Sequence, residues 1–180
     1  MNTSQRKLSM DELNRLEPEE FKKAEKNPLI IFLDNVRSLH NVGSAFRTAD
    51  AFRVEKILLC GITGTPPNRE IHKTALGATE SVTWEYHQKS IEAVKKLKED
   101  GWKIIVLEQT SNSIPLQKFM PEKSGKHCFI FGNEVSGVDD ELIGFADAIV
   151  EIPQFGTKHS LNISVSIGIV LWDYFTKASG

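Results

Sequence analysis

The residues best suited to chemistry lie in three short polar stretches: 34–41 (Asp-Asn-Val-Arg-Ser-Leu-His-Asn), 132–137 (Gly-Asn-Glu-Val-Ser-Gly) and 153–162 (Pro-Gln-Phe-Gly-Thr-Lys-His-Ser-Leu-Asn). Around the first, Arg37, Arg47 and Arg53 give a local excess of guanidinium groups. A guanidinium stays charged and its planar fork matches a phosphate, so the chemistry suggested is a grip on a phosphodiester. One or two of these arginines would hold phosphate and the rest would be surface; Lys56, Arg69 and Lys73 extend the patch if the intervening loop folds back. At the third stretch, Ser160, Asn162, Ser164 and Ser166 crowd the mouth of an otherwise apolar run from Ile163 to Trp172. Polar groups there must be met by the chain's own backbone or by a ligand with polar edges. Glu134 is held between Gly132 and Gly137, glycines that let the backbone approach a ligand or turn left-handed.

Several familiar chemistries lack their motifs. No GxGxxG follows the first apolar run and no GxxxxGK[ST] occurs, which disfavours dinucleotides and nucleoside triphosphates. There is no HExxH and no GxSxG elbow, and the five histidines are scattered. His40 and His159 lie beside the polar stretches but receive no catalytic role. No metal-ligand spacing involves Cys60 or Cys128, so both read as buried free thiols and no metal is expected.

The surrounding pattern says what must position these loops. Apolar runs at 29–33, 57–60, 103–107, 128–131 and 148–152 predict strands, and 81–86 is a further candidate. A helix capped by Asn41 is expected through Phe52, another over 90–99, a short one near Leu142, and a closing helix capped by Ser160. The closing helix is apolar on nearly every side and is therefore expected to be buried. Residues 61–77 read as a loop-rich insertion. Strands alternating with helices predict an α/β fold with a mostly parallel sheet flanked by helices. Ligands of such sheets sit beyond the carboxyl ends of the strands, where the three polar stretches fall.

The totals agree with one domain. The chain has 180 residues, 40% hydrophobic and 26% charged, with a formal net charge of -2. That charge argues against a general DNA-coating role but allows a local grip on RNA. Residues 1–28 form a charged helical extension and 29–180 the main domain. Neither a secretion leader nor a membrane-length apolar stretch is read, so a cytoplasmic location is expected.

The run 35–50, beginning Asn35-Val36-Arg37-Ser38-Leu39-His40-Asn41, resembles the first motif of the SpoU/TrmH family of RNA ribose 2'-O-methyltransferases. Phe131-Gly132-Asn133-Glu134-Val135-Ser136-Gly137 is similar to its second motif, and Ile152-Pro153 through Ser160-Leu161-Asn162-Ile163-Ser164 to its third. Order and spacing match over roughly 29–176. The resemblance implies a SPOUT fold with a C-terminal trefoil knot, against the general rule that chains are unknotted. It implies S-adenosylmethionine as cofactor, structured RNA as partner (transfer RNA before ribosomal RNA), and a homodimer. Catalytic positions carried over are Arg47, Asn41, Glu134, Ser160 and Asn162. Cofactor positions are Leu107, Gly132, Glu134, Ile152, Ser160 and Leu161; RNA positions are Asn35, Arg37, Arg47, Arg53 and Arg69. Relatives usually have methionine after Ile-Pro, where this chain has Gln154-Phe155, which alters the pocket wall. The added RNA-binding domain of some relatives is not expected.

A ribose hydroxyl needs to lose its proton to attack a methyl group, and a guanidinium is a poor base. The expectation is that Arg47 fixes a substrate phosphate that activates the hydroxyl, an arginine deprotonated by its site being the other route. The rivals are a non-catalytic RNA-binding module and methylation of a base nitrogen.

Overall fold

The computed structural model describes residues 6–9 and 11–178, so the start of the charged extension and the last two residues of the chain lie outside the described part. The order is α1 (Pro18–Lys23), β1 (Asn27–Asp34), α2 (Leu39–Ala51), β2 (Val54–Cys60), α3 (Arg69–Ala75), α4 (Ala78–Ser81), β3 (Trp84–His87), α5 (Ser90–Glu99), β4 (Lys103–Leu107), β5 (Ile114–Pro115), β6 (His127–Phe131), α6 (Asp140–Ile143), β7 (Ala148–Glu151) and α7 (Ile163–Ala178). The strands form one seven-stranded sheet in the order β3-β2-β1-β6-β4-β7-β5. Every pairing is parallel.

The apolar run of β1 is buried on both faces, and its period of two divides the core. Ile31 and Leu33 join Val42, Ala45, Phe46 and Ala49 of α2 and Ile167, Val170 and Leu171 of α7. Ile30 and Phe32 face the other way, onto Ala93, Val94 and Leu97 of α5 and Leu142 of α6. Each such large side chain contributes roughly 1.5–3 kcal/mol on burial. Phe21 of α1 is buried in the first of these cores. Cys60 and Cys128 are both wholly buried, and burial pushes both thiols up from their ordinary pKa.

Four local expectations are corrected. Ser38, not Asn41, caps α2: its Oγ accepts from the Asn41 N–H at 3.3 Å, and Asn41 lies inside the first turn. The insertion at 61–77 holds a helix, α3, capped by Asn68. It packs so closely on α2 that a Cβ at Gly43 would stand 2.1 Å from Thr74 Oγ1. The expected strand at 81–86 begins later, at Trp84, because Ser81 ends α4. The closing helix starts at Ile163, where the Asn162 Oδ1 accepts from the Ser164 N–H at 2.9 Å, so Asn162 replaces Ser160 as its cap.

The same helix is not buried all round. Ile163, Ile167, Val170, Leu171 and Tyr174 are buried, whereas Val165, Ile169, Trp172 (61% exposed) and Phe175 form an uncovered apolar stripe at helical spacing. Phe52, at the end of α2, packs on the rings of Trp172 and Phe175, with centroids at 6.5 and 5.9 Å.

Candidate active site

β1, β6, β4 and β7 stand side by side, so the loops that follow them are neighbours along the carboxyl edge. Between the last three lies a cavity of about 720 Å³. Leu107, Gly132, Glu134, Ile152, Ser160 and Leu161 all line it, and so does Asn162. Every residue expected at a cofactor therefore meets in one place. Asn133, His159, Ser166 and the stretch Glu108-Gln109-Thr110 line it as well. The last of these was not among the expected site residues, although it directly follows the apolar run of β4 as the other site loops follow theirs.

The second loop is a closed unit. Asn133 and Gly137 exchange backbone hydrogen bonds at 2.9 Å in both directions, and the Asn133 side chain accepts from Val135 N–H at 2.7 Å. Gly132 is required by this closure: a Cβ there would lie 2.2 Å from the Gly137 carbonyl carbon. Its close approach is thus to the chain's own backbone. Gly137 adopts φ +72° and leaves no room for a side chain beside Glu108. Glu108 in turn accepts from the Val138 N–H at 3.1 Å, joining the loops after β4 and β6. Gly132→Ala is expected to lower stability by about 1–3 kcal/mol, because the opposing atoms are backbone and cannot turn aside. Urea unfolding of the two proteins measures this.

Glu134 joins the second loop to the first. Its Oε2 accepts from Arg37 N–H at 3.2 Å, and its Oε1 from Ser38 N–H at 3.3 Å and from Asn41 Nδ2 at 3.1 Å. Partial burial pushes this carboxyl up, but these donors outweigh it and hold its pKa below the ordinary carboxylate value. The charge also lies at the N-terminus of α2, where the helix dipole favours an anion. Asn133 Nδ2 donates to the Asn35 carbonyl at 3.0 Å, a second tie between the same loops. Asn35 takes φ +54°, with its Oδ1 accepting from Ile62 N–H at 3.1 Å and its Nδ2 donating to Asp34 at 3.1 Å. Asp34 is buried at the end of β1 and also accepts from Ser90 Oγ at 2.5 Å; burial raises its pKa.

The arginines separate. Arg37 is exposed on the first loop and Arg69 is exposed at the start of α3, both toward the carboxyl edge. Arg47 projects from the outer face of α2, does not line the cavity, and makes no side-chain hydrogen bond or ion pair among the described residues. Arg53 lies at the opposite end of the sheet: its carbonyl accepts from Asn27 N–H at the start of β1. The expected cluster of Arg37, Arg47 and Arg53 is therefore not formed, because α2 carries the chain the full depth of the sheet between the first and the last. Among the described residues no group of His, Cys, Asp and Glu is placed to hold a metal ion, and no helix is long and apolar enough to cross a membrane.

Residues 28–172 match the model of the SpoU rRNA Methylase family, and the chain belongs to that family. It is 33% identical, over 80% of its length, to the 23S rRNA (guanosine-2'-O-)-methyltransferase RlmB of Neisseria meningitidis serogroup B, and spans 56% of that relative. The crystal structure of the A. aeolicus TrmH/SpoU tRNA modifying enzyme superposes with a TM-score of 0.78 at 26% identity, covering 90% of this chain and 80% of that one. An AdoMet-bound rRNA methyltransferase from Sinorhizobium meliloti shares the fold at a TM-score of 0.78 and 24% identity, covering 87% of this chain and 59% of that one.

Proposed function

We propose that the protein transfers a methyl group from S-adenosylmethionine to a ribose 2'-hydroxyl of structured RNA, with transfer RNA as the first candidate and ribosomal RNA as the second. The observation that carries this reading is the meeting of all six expected cofactor positions around one cavity in a chain of this family. The N. meningitidis relative acts on 23S rRNA and the A. aeolicus one on tRNA, so the family supports either.

The cavity suits the cofactor. Its volume falls in the range of roughly 300–1,000 Å³ typical of small-molecule sites. Leu107, Ile152 and Leu161 offer apolar walls beside the backbone of the second and third loops, a mixture fit for an adenosine and an amino-acid tail. When bound, the sulfonium supplies the methyl group. The chain's part is to hold the ribose oxygen in line with it, since positioning contributes much of the barrier reduction in such a displacement. Arg47 holds a phosphate of the RNA through its planar fork of donors. That phosphate would take the hydroxyl proton, leaving the oxygen free to accept the methyl group that the bound cofactor would supply. Glu134 and Asn41 fix the first loop against the cavity.

Arg47 does not line the cavity of its own chain, and the apolar stripe of α7 beside α2 is uncovered. Both features support a homodimer in which Arg47 of one chain serves the cavity of the other. Under the same reading the C-terminal segment forms a trefoil knot; its support is the insertion of β7 between β4 and β5, strands consecutive in the chain.

The first test supplies isotope-labelled S-adenosylmethionine with unmodified transfer and ribosomal RNA and identifies the labelled nucleoside by mass spectrometry. A 2'-O-methyl nucleoside is expected; a methylated base, or cofactor binding with no transfer to RNA, overturns the reading. The dimer is tested by mixing. Arg47→Ala and Leu161→Glu are each expected to be inactive alone, and their equimolar mixture to regain about a quarter of wild-type activity, since about half the dimers are then heterodimers and each of those carries one sound site of two. Heterodimers that form and stay inactive refute an arginine acting across the interface.

A further inference from the structure

A second, smaller cavity of about 380 Å³ opens on the same edge, lined by Gly61, Ile62, Thr63, Gly64, Thr65, Trp84 and Tyr86. Its walls are unlike ordinary loop surface. Trp84 and Tyr86 stand two residues apart on the edge strand β3, so their rings face the same side. Tyr86 is 47% exposed and Ile62 63% exposed, which leaves an aromatic and an aliphatic face uncovered together. The Tyr86 hydroxyl donates to the Gly61 carbonyl at 2.9 Å, which fixes the ring across the pocket mouth.

The walls of the pocket are tied to the candidate active site by hydrogen bonds. Its Ile62 N–H donates to Asn35 Oδ1, and the Asn35 carbonyl accepts from Asn133, which lines the larger cavity. Its Thr63 Oγ1 accepts from Val36 N–H at 3.0 Å, so the residue next to Arg37 rests on the pocket wall. Arg37 on one bordering loop and Arg69 at the end of the other are exposed, and neither has an ion-pair partner among the described residues. Aromatic rings beside unpaired guanidinium groups match a single-stranded nucleic acid, whose bases stack while its phosphates are neutralised.

We propose that this pocket takes one unpaired nucleobase of the RNA substrate, stacked on Trp84 and Tyr86, with Arg37 and Arg69 on the flanking phosphates. The proposal rests on the RNA reading above and adds a second subsite to it. RNA would then lie across the first loop, with the reacting ribose at the larger cavity and a neighbouring base held at the edge strand.

The test uses the full chain and in vitro transcripts of transfer RNA and of ribosomal RNA carrying 5-iodouridine. Irradiation is expected to place adducts on Trp84 or Tyr86. Tyr86→Leu, at a half-exposed position, is expected to weaken RNA affinity about tenfold while S-adenosylmethionine affinity stays unchanged. Ile62→Ala serves as an independent variant with the same direction. If wild type and both variants bind the transcripts equally and adducts fall elsewhere, the pocket is not an RNA subsite, while the proposed function stands. A change of oligomeric state in the variants, with RNA affinity intact, assigns the pocket to a second copy of the chain and overturns the proposal. A wild-type protein that binds no RNA overturns both readings together.

Discussion

Replacing Arg47 with alanine should lower methyl transfer by roughly 10²–10³-fold, the scale on which removal of one charge-stabilising donor acts in other active sites. The fold should not notice. Arg47 is exposed on α2 and has no hydrogen bond or ion pair among the described residues, so surface truncation there stays within about 0.5 kcal/mol. The loss should fall on turnover while S-adenosylmethionine binding, measured by calorimetry, remains at the wild-type level. Arg47→Lys separates charge from shape: a lysine keeps the charge but cannot engage phosphate with two parallel donors. It should recover only part of the lost rate. Wild-type turnover in Arg47→Ala would remove the arginine from the mechanism altogether.

Glu134→Ala is the second large effect, and it acts through geometry. The carboxylate gathers the Arg37 and Ser38 N–H groups and the Asn41 amide onto the second loop. Without it, the first loop loses its main tie to the cavity. Misplacement of reacting groups by about 1 Å can cost 10²-fold in rate, and a drop of that order is expected. The stability cost is smaller, about 1 kcal/mol, because solvent reaches this carboxylate and replaces part of what is removed. Glu134→Gln keeps an acceptor on the same frame and should retain more activity than the alanine. The pH dependence has a definite sign. A carboxyl whose folded pKa is depressed contributes fully above its unfolded value, about 4.3, and loses that contribution as pH falls through the lower folded value. Thermal unfolding between neutral pH and pH about 3 should therefore fall more steeply for wild type than for Glu134→Gln. Parallel curves would show that the carboxylate is not held by these donors.

Much of this architecture could be read from local pattern, and the failures share a cause. The continuous apolar runs of β1, β4 and β6 mark strands covered on both faces, and the three polar stretches fall at the carboxyl ends of β1, β6 and β7. α3 escaped because Arg69–Ala75 is short, follows Pro66-Pro67, and buries only Ile71 and Ala75; its helix is stabilised by packing against Gly43, which no local window contains. β5 is two residues long and exists only because β7 pairs with it. The helix caps were misplaced by a few residues for a similar reason. Ser38, Asn41, Ser160 and Asn162 are all competent caps, and the choice is made by where tertiary contacts begin each helix. The cofactor positions came together because the resemblance assigned them and the sheet order places their loops side by side. The arginine patch did not, since proximity in sequence was taken for proximity in space across a helix that spans the sheet.

The two wholly buried cysteines have a practical consequence for all of these measurements. Cys60 and Cys128 lie in the sheet, with thiols pushed up by burial, so neither presents a reactive thiolate to solvent in the native protein. Alkylating reagents should leave the folded chain unlabelled, and the onset of labelling becomes a clock for opening of the central strands. A single cysteine introduced at an exposed position away from α7, such as Lys96 on α5, would then carry a fluorophore without background. Energy transfer between two labelled copies would then report whether the proposed dimer forms.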